Sequence, residues 1–203
     1  SIWAHAAHIE QYLSYYFSPN THLTGEALGL VYAGLVFPEL PRADRWRELG
    51  TRILVEQSAR HILDDGVYFE LSTGYQRYTL EFYLHLLILG ERNGCPVPAV
   101  VAERVERMIA FLLAVRCPDG SMPQIGDADG GTLVPLARRL QDDCRGVLGT
   151  AAAFFGRADC AWAAGPAAPE VLWLLGPAGL DAFDALRPAP PVGPSSRLFA
   201  DGG

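Results

Sequence analysis

Ser18-Pro19-Asn20-Thr21-His22-Leu23-Thr24-Gly25-Glu26-Ala27 sets a polar helix start between two strongly apolar segments. Pro19 disfavours helix at Ser18, and Asn20 or Thr21 can cap the next helix, because a short side-chain oxygen accepts an orphan N–H of the first turn. Asn20, His22 and Glu26 then bring an amide, an imidazole and a carboxylate to that turn. Upstream, Ile2, Ala6, Ile9, Leu13, Tyr16 and Phe17 form the stripe of an amphipathic helix over residues 2–17. Downstream, residues 22–37 are apolar nearly all round, which predicts a buried helix stopped by Pro38 and Pro41.

Further helices are expected over 42–63, 75–93, 98–115 and 135–155, with short ones near 170–175 and 180–186. Asp64-Asp65-Gly66 makes a turn, 67–74 reads as an extended loop, and 117–131 is a Gly-, Pro- and Asp-rich loop too long for a plain connector. Three unusual helix starts (18–26, 64–78 and 119–131) recur at similar distances. That spacing favours an all-α fold, an incomplete α/α toroid of antiparallel helix hairpins, over an irregular bundle. It places 1–187 in the toroid, makes 188–196 a Pro-rich extended linker and leaves 197–203 as a strand just beginning.

The composition narrows the function classes. The 203 residues carry a net charge of −7, every basic residue is arginine, and no basic helix face is present, so a nucleic-acid surface is not expected. No apolar run reaches the length of a membrane span. Cys95, Cys117, Cys144 and Cys160 lack CxxC or zinc-finger spacing and read as free or buried thiols. P-loop, GxSxG and HExxH patterns are absent.

Three clusters hold the candidate chemistry, each with a structural alternative. Asn20, His22 and Glu26 are a reactive group or a cap with its first-turn neighbours. Tyr75, followed by Gln76, Arg77 and Tyr78, is a proton-transfer site in which the nearby guanidinium would favour the phenolate, or a packing face. Asp127 and Asp129 lie in Gly126-Asp127-Ala128-Asp129-Gly130-Gly131, a hydrogen-bonded turn or a calcium loop short of its downstream glutamate. His5 and His8 at i, i+3 have metal-ligand spacing without a third ligand, so no metal and no cofactor are expected.

Asn20-Thr21-His22-Leu23 with Glu26-Ala27, Asp65-Gly66-Val67-Tyr68-Phe69-Glu70 with Ser72 and Tyr75, and Pro118-Asp119-Gly120 with 126–130 together resemble the heparinase II/III family of polysaccharide lyases. The resemblance covers about residues 10–135. It implies an α/α toroid followed by the protein's own C-terminal β-sandwich domain, with an acidic polysaccharide bound between them and an exported protein. It also implies β-elimination: Asn20 or His22 stabilising the uronate carboxylate, His22 as base, Tyr75 as acid or as acid and base in turn. Glu26, Gln76, Tyr78, Asp127 and Asp129 are expected to contact substrate, and Arg77 is expected, from its charge and not from the resemblance, to tune Tyr75 or hold the substrate. The family commonly has asparagine directly before the histidine and a histidine after the tyrosine; Thr21 and Gln76 stand there.

Overall fold

The computed structural model describes residues 1–193 and 196–202. Among these residues it has eight helices and no strand: α1 (Ile2–Gln11), α2 (Thr21–Val36), α3 (Ala43–His61), α4 (Thr73–Arg92), α5 (Ala99–Val115), α6 (Arg145–Phe155), α7 (Ala158–Ala164) and α8 (Pro169–Asp184). Short connections pair α2 with α3 and α4 with α5, and α6 packs on both α7 and α8. Helix α4 is the hub, touching α2, α5, α6 and α8, and most of its side chains are buried. Leu23, Leu28, Ile53, Leu54, Leu80, Tyr83, Val105 and Leu112 belong to one continuous core. Burial of such side chains, each worth about 1.5–3 kcal/mol, is the main force holding the hairpins together.

Several expected boundaries move, each for a tertiary reason. Helix α1 ends at Gln11 rather than 17, because the Glu26 carboxylate draws Ser14 off the helix, accepting from its N–H at 2.8 Å and its hydroxyl at 2.6 Å. Tyr16 and Phe17, expected inward, are 101% and 95% exposed. Helix α6 starts at Arg145 rather than 135. The preceding chain is held by Arg139, which grips Glu170 through two nitrogens and Asp143 at 3.0 Å.

Helix α7 has no counterpart among the expected helices; it lies between Gly156 and Gly165, both at positive φ. Positive φ at Gly176, followed by Pro177, kinks α8 where two short helices are expected.

The strand expected over 197–203 is not formed among the described residues. Phe199 instead packs edge-on against Phe111 at 4.9 Å, and Asp65 Oδ2 accepts the N–H groups of Asp201 and Gly202, both at 2.9 Å. Within the expected linker, Pro194 and Ser195 lie outside the described residues. All four cysteines are free thiols. No described helix is long and apolar enough to cross a membrane.

The packing makes Gly50 and His85 sensitive positions. A Cβ on Gly50 would collide with the Ala27 carbonyl and lie 2.9 Å from Val31 Cγ2, so Gly50→Val should destabilise by about 2–3 kcal/mol, read as a lower urea midpoint. His85 is buried with Nδ1 2.5 Å from Tyr32 Oη, and burial pushes its pKa from 6.5 down to about 4. The unfolded chain then takes up the proton first, so stability is lost as pH falls from about 6.5 to 4, by up to about 3 kcal/mol for this group. Urea midpoints measured through that window should fall, and fall less in His85→Gln.

Candidate functional site

The N-terminus of α4 is buried, and its orphan N–H groups decide the local structure. Ser72 Oγ caps it, accepting from Tyr75 N–H at 3.1 Å while donating to the Asp127 carbonyl. Thr73 N–H donates to the Ile125 carbonyl at 3.0 Å. Its hydroxyl donates to the Pro123 carbonyl at 2.6 Å and accepts from Ile125 N–H at 3.1 Å. The long loop thus lies directly on the helix start. Gly126, at φ 73°, permits this approach, since a Cβ there would be 2.7 Å from the Leu71 carbonyl.

The first polar helix start joins the same end of the fold. Asn20 Oδ1 caps α2 by accepting from His22 N–H at 3.1 Å, and Asn20 Nδ2 donates to Glu70 Oε1 at 2.9 Å. The second Asn20 N–H has no partner among the described residues. Glu70 also acts electrostatically on Tyr75: burial, then Asp129, Asp127 and Glu70, push the tyrosine pKa up. Three stretches separated in sequence by about 50 residues each therefore meet around Asn20, Glu70 and Tyr75. His22 stands exposed on the first turn of α2.

Behind these groups lies an aromatic and polar layer that combines His61 with Tyr68, Phe69 and Glu70 of the 65–70 stretch. His61, the last residue of α3, stacks on Phe69 at 4.5 Å and meets Tyr68 edge-on. Burial, together with the nearby Arg60 charge, pushes the His61 pKa down to about 4 and keeps the ring neutral. His61 Nδ1 is buried without a hydrogen-bond partner, and the buried Tyr68 hydroxyl lies against the Glu70 and Thr79 side chains. Burial and the Glu70 charge push the Tyr68 pKa up, so its phenol stays protonated.

Other expected site residues are placed differently. Gln76 is buried, its Oε1 accepting from Tyr68 N–H at 2.6 Å and its Nε2 donating to the Gly66 carbonyl at 2.8 Å, so its amide faces the interior. Arg77 does not tune Tyr75 toward the phenolate; it is buried, paired with Glu81 and bonded to the Gly131 carbonyl. On a helix the side chains one and two positions past Tyr75 turn about 100° and 200° away from it. Tyr78 packs edge-on against Phe82 at 4.4 Å.

Arg77 and Glu81 line a cavity of about 450 Å³ together with His85, Arg139 and Glu170. The Glu26 carboxylate is engaged by Ser14. Asp127 and Asp129 are exposed, each with Oδ1 on a neighbouring N–H of its own turn, at 2.8 and 3.0 Å. Among the described residues no three His, Cys, Asp or Glu side chains gather around a common point that could hold an ion.

Comparison with known proteins adds a family. The family model described as the heparinase II/III N-terminus matches residues 1–144. A heparin-sulfate lyase of Bacteroides stercoris is 32% identical over 126 residues, 61% of this chain and 18% of that protein. The heparin-sulfate lyase of Pedobacter heparinus is 31% identical over 120 residues, 58% of this chain and 18% of that one. A solved heparinase III with methylated lysines superposes with a TM-score of 0.63 at 25% identity, covering 80% of this chain and 24% of that one. The chain thus spans about a fifth of the length of the lyases it matches. Its helix hairpins form part of an α/α toroid.

Ser72 holds both the helix cap and the loop. Ser72→Ala should cost about 1–2 kcal/mol. Limited proteolysis should show faster cleavage within 119–131 than in the unsubstituted protein.

Proposed function

Because this chain belongs to the heparinase II/III family, we propose that it is the helical part of a polysaccharide lyase that cleaves a uronic-acid-containing acidic polysaccharide by β-elimination. The meeting of Asn20, Glu70 and Tyr75 at one end of the helices, with His22 exposed beside them, carries this reading. Substrate would bind between this end and the protein's own C-terminal β-sandwich domain.

The chemistry comes from the groups present. The spare Asn20 N–H donates to the uronate carboxylate, drawing charge from C5 and making its proton more acidic. His22 takes the C5 proton; the freed electron pair forms the C4–C5 double bond; the C4–O bond breaks. Tyr75 Oη donates its proton to the departing oxygen; the tyrosine is then reprotonated from solvent, and His22 releases the C5 proton to solvent. No water is added across the cleaved bond. The carboxylates around Tyr75 favour the protonated phenol, which suits the acid role better than the phenolate role. Of the two departures from the family pattern, Gln76 is engaged by backbone partners in the interior, and Thr21 occupies the first position of α2 without displacing the Asn20 cap.

The full-length protein, incubated with alginate, heparan, chondroitin, hyaluronan and bacterial exopolysaccharides, should raise the ultraviolet absorbance of an unsaturated uronate end on at least one polymer. Tyr75→Phe should lower that turnover by about 10²–10⁴-fold with an unchanged circular dichroism spectrum. Binding without absorbance on every polymer would replace the lyase reading with a noncatalytic carbohydrate-binding one.

A further inference from the structure

Glu70 belongs to none of the roles above, yet it bonds to Asn20 and acts electrostatically on Tyr75. Its Oε1 accepts from Asn20 Nδ2 at 2.9 Å across 50 residues of sequence, and it is one of three carboxylates acting on Tyr75. The segment carrying it is held at a cost. Leu71, the next residue, sits at φ 53°, a left-handed conformation unusual for a leucine. Glu70 also lies against the buried Tyr68 hydroxyl. Backbone strain subtracts from stability, and such a feature persists where the surrounding structure imposes it for a purpose other than stability.

That surrounding structure is visible. Tyr68 pairs with Ile62 in an antiparallel bridge, Phe69 N–H donates to the His61 carbonyl at 2.9 Å, Leu71 N–H donates to the Tyr68 carbonyl at 2.9 Å, and Ser72 caps α4. Gln76 adds a tie from α4 to Tyr68 N–H and the Gly66 carbonyl. The residues on both sides of Glu70 are fixed, so its carboxylate is aimed at Asn20. The aim has a chemical result. With Oδ1 on His22 N–H and one Nδ2 hydrogen on Glu70, the Asn20 amide cannot flip, and its remaining N–H has one direction.

Resting on the lyase reading, we propose that Glu70 is the positioning residue of this site: it orients the Asn20 amide toward the substrate carboxylate and sets a negative charge against Tyr75. After burial, the groups that act most on Tyr75 are Asp129 and Asp127 from the long loop and Glu70 from the segment before α4, all carboxylates.

Two variants of the full-length protein separate the two effects. Glu70→Gln keeps an acceptor for Asn20 and removes the charge; Glu70→Asp keeps the charge and shortens the reach. Tyr75 ionisation is read without substrate, as the tyrosinate absorbance of each protein minus that of its Tyr75→Phe counterpart. In Glu70→Gln it should move to lower pH by about half a unit or more, and the alkaline limb of the kcat profile should move with it. In Glu70→Asp the ionisation should stay in place, while kcat falls by about tenfold or more with KM changed by less than about twofold.

Unchanged ionisation in Glu70→Gln together with unchanged kcat in Glu70→Asp would overturn the proposal. Should Glu70→Gln not fold, a wild-type kcat in Glu70→Asp alone overturns the orienting role. A shifted ionisation in a protein that cleaves no polymer would sink the lyase reading and leave the electrostatic setting of Tyr75 standing.

Discussion

A buried helix start is the constraint on which the rest of this structure depends. Helix α4 is packed on several sides, so the N–H groups of its first turn cannot turn to water and must find acceptors in the protein. Ser72 Oγ and the Ile125 carbonyl supply them. The second of these acceptors belongs to a loop more than 50 residues further on, so satisfying the helix also docks the loop. Tyr75 lies in that first turn, and the docking brings Asp127 and Asp129 to it. A requirement of backbone hydrogen bonding thereby sets the electrostatics of the one candidate proton donor.

The charge balance of the region points the same way. Arg77 pairs with Glu81, and Arg139 is shared between Asp143 and Glu170, so the charge of these guanidinium groups is balanced by neighbouring carboxylates. What remains around Tyr75 is acidic. From this part of the protein, recognition of an anionic sugar would therefore rest on hydrogen-bond donors of neutral groups, the Asn20 amide first among them.

Much of this is legible in the residues. Helices α2, α3, α4 and α5 carry long apolar periodicities and clear stops, and each forms within two residues of the expected span. The errors at α1 and α6 share a cause: both segments have helical patterns, and side-chain contacts made far away in sequence, Ser14 with Glu26 and Arg139 with Glu170, take the chain elsewhere. At the site, Asn20 and Tyr75 are readable because a cap and a glycine-led helix start leave local signatures. Glu70 stands in the 65–70 stretch without a role and His61 in no pattern at all, since what they do arises only from contacts made in the folded chain. Gln76 and Arg77 turn inward against expectation because periodicity finds a helix more readily than it finds which face of that helix is inside.

The inward placement of Gln76 is itself informative. Its amide spans the turn that carries Glu70, accepting from Tyr68 N–H and donating to the Gly66 carbonyl, with a longer contact to the Met108 carbonyl at 3.4 Å. It thus ties α4 and α5 to the segment that aims Glu70 at Asn20. A side chain in this place needs a donor and an acceptor at the same time, and a primary amide provides both without any change of protonation. A neutral imidazole meets the same demand only in one tautomer, and loses its acceptor once protonated. With glutamine at position 76 the Glu70 turn is held by a group that does not titrate. Changes of pH then leave this strut, and the aim of Glu70 that depends on it, unaltered.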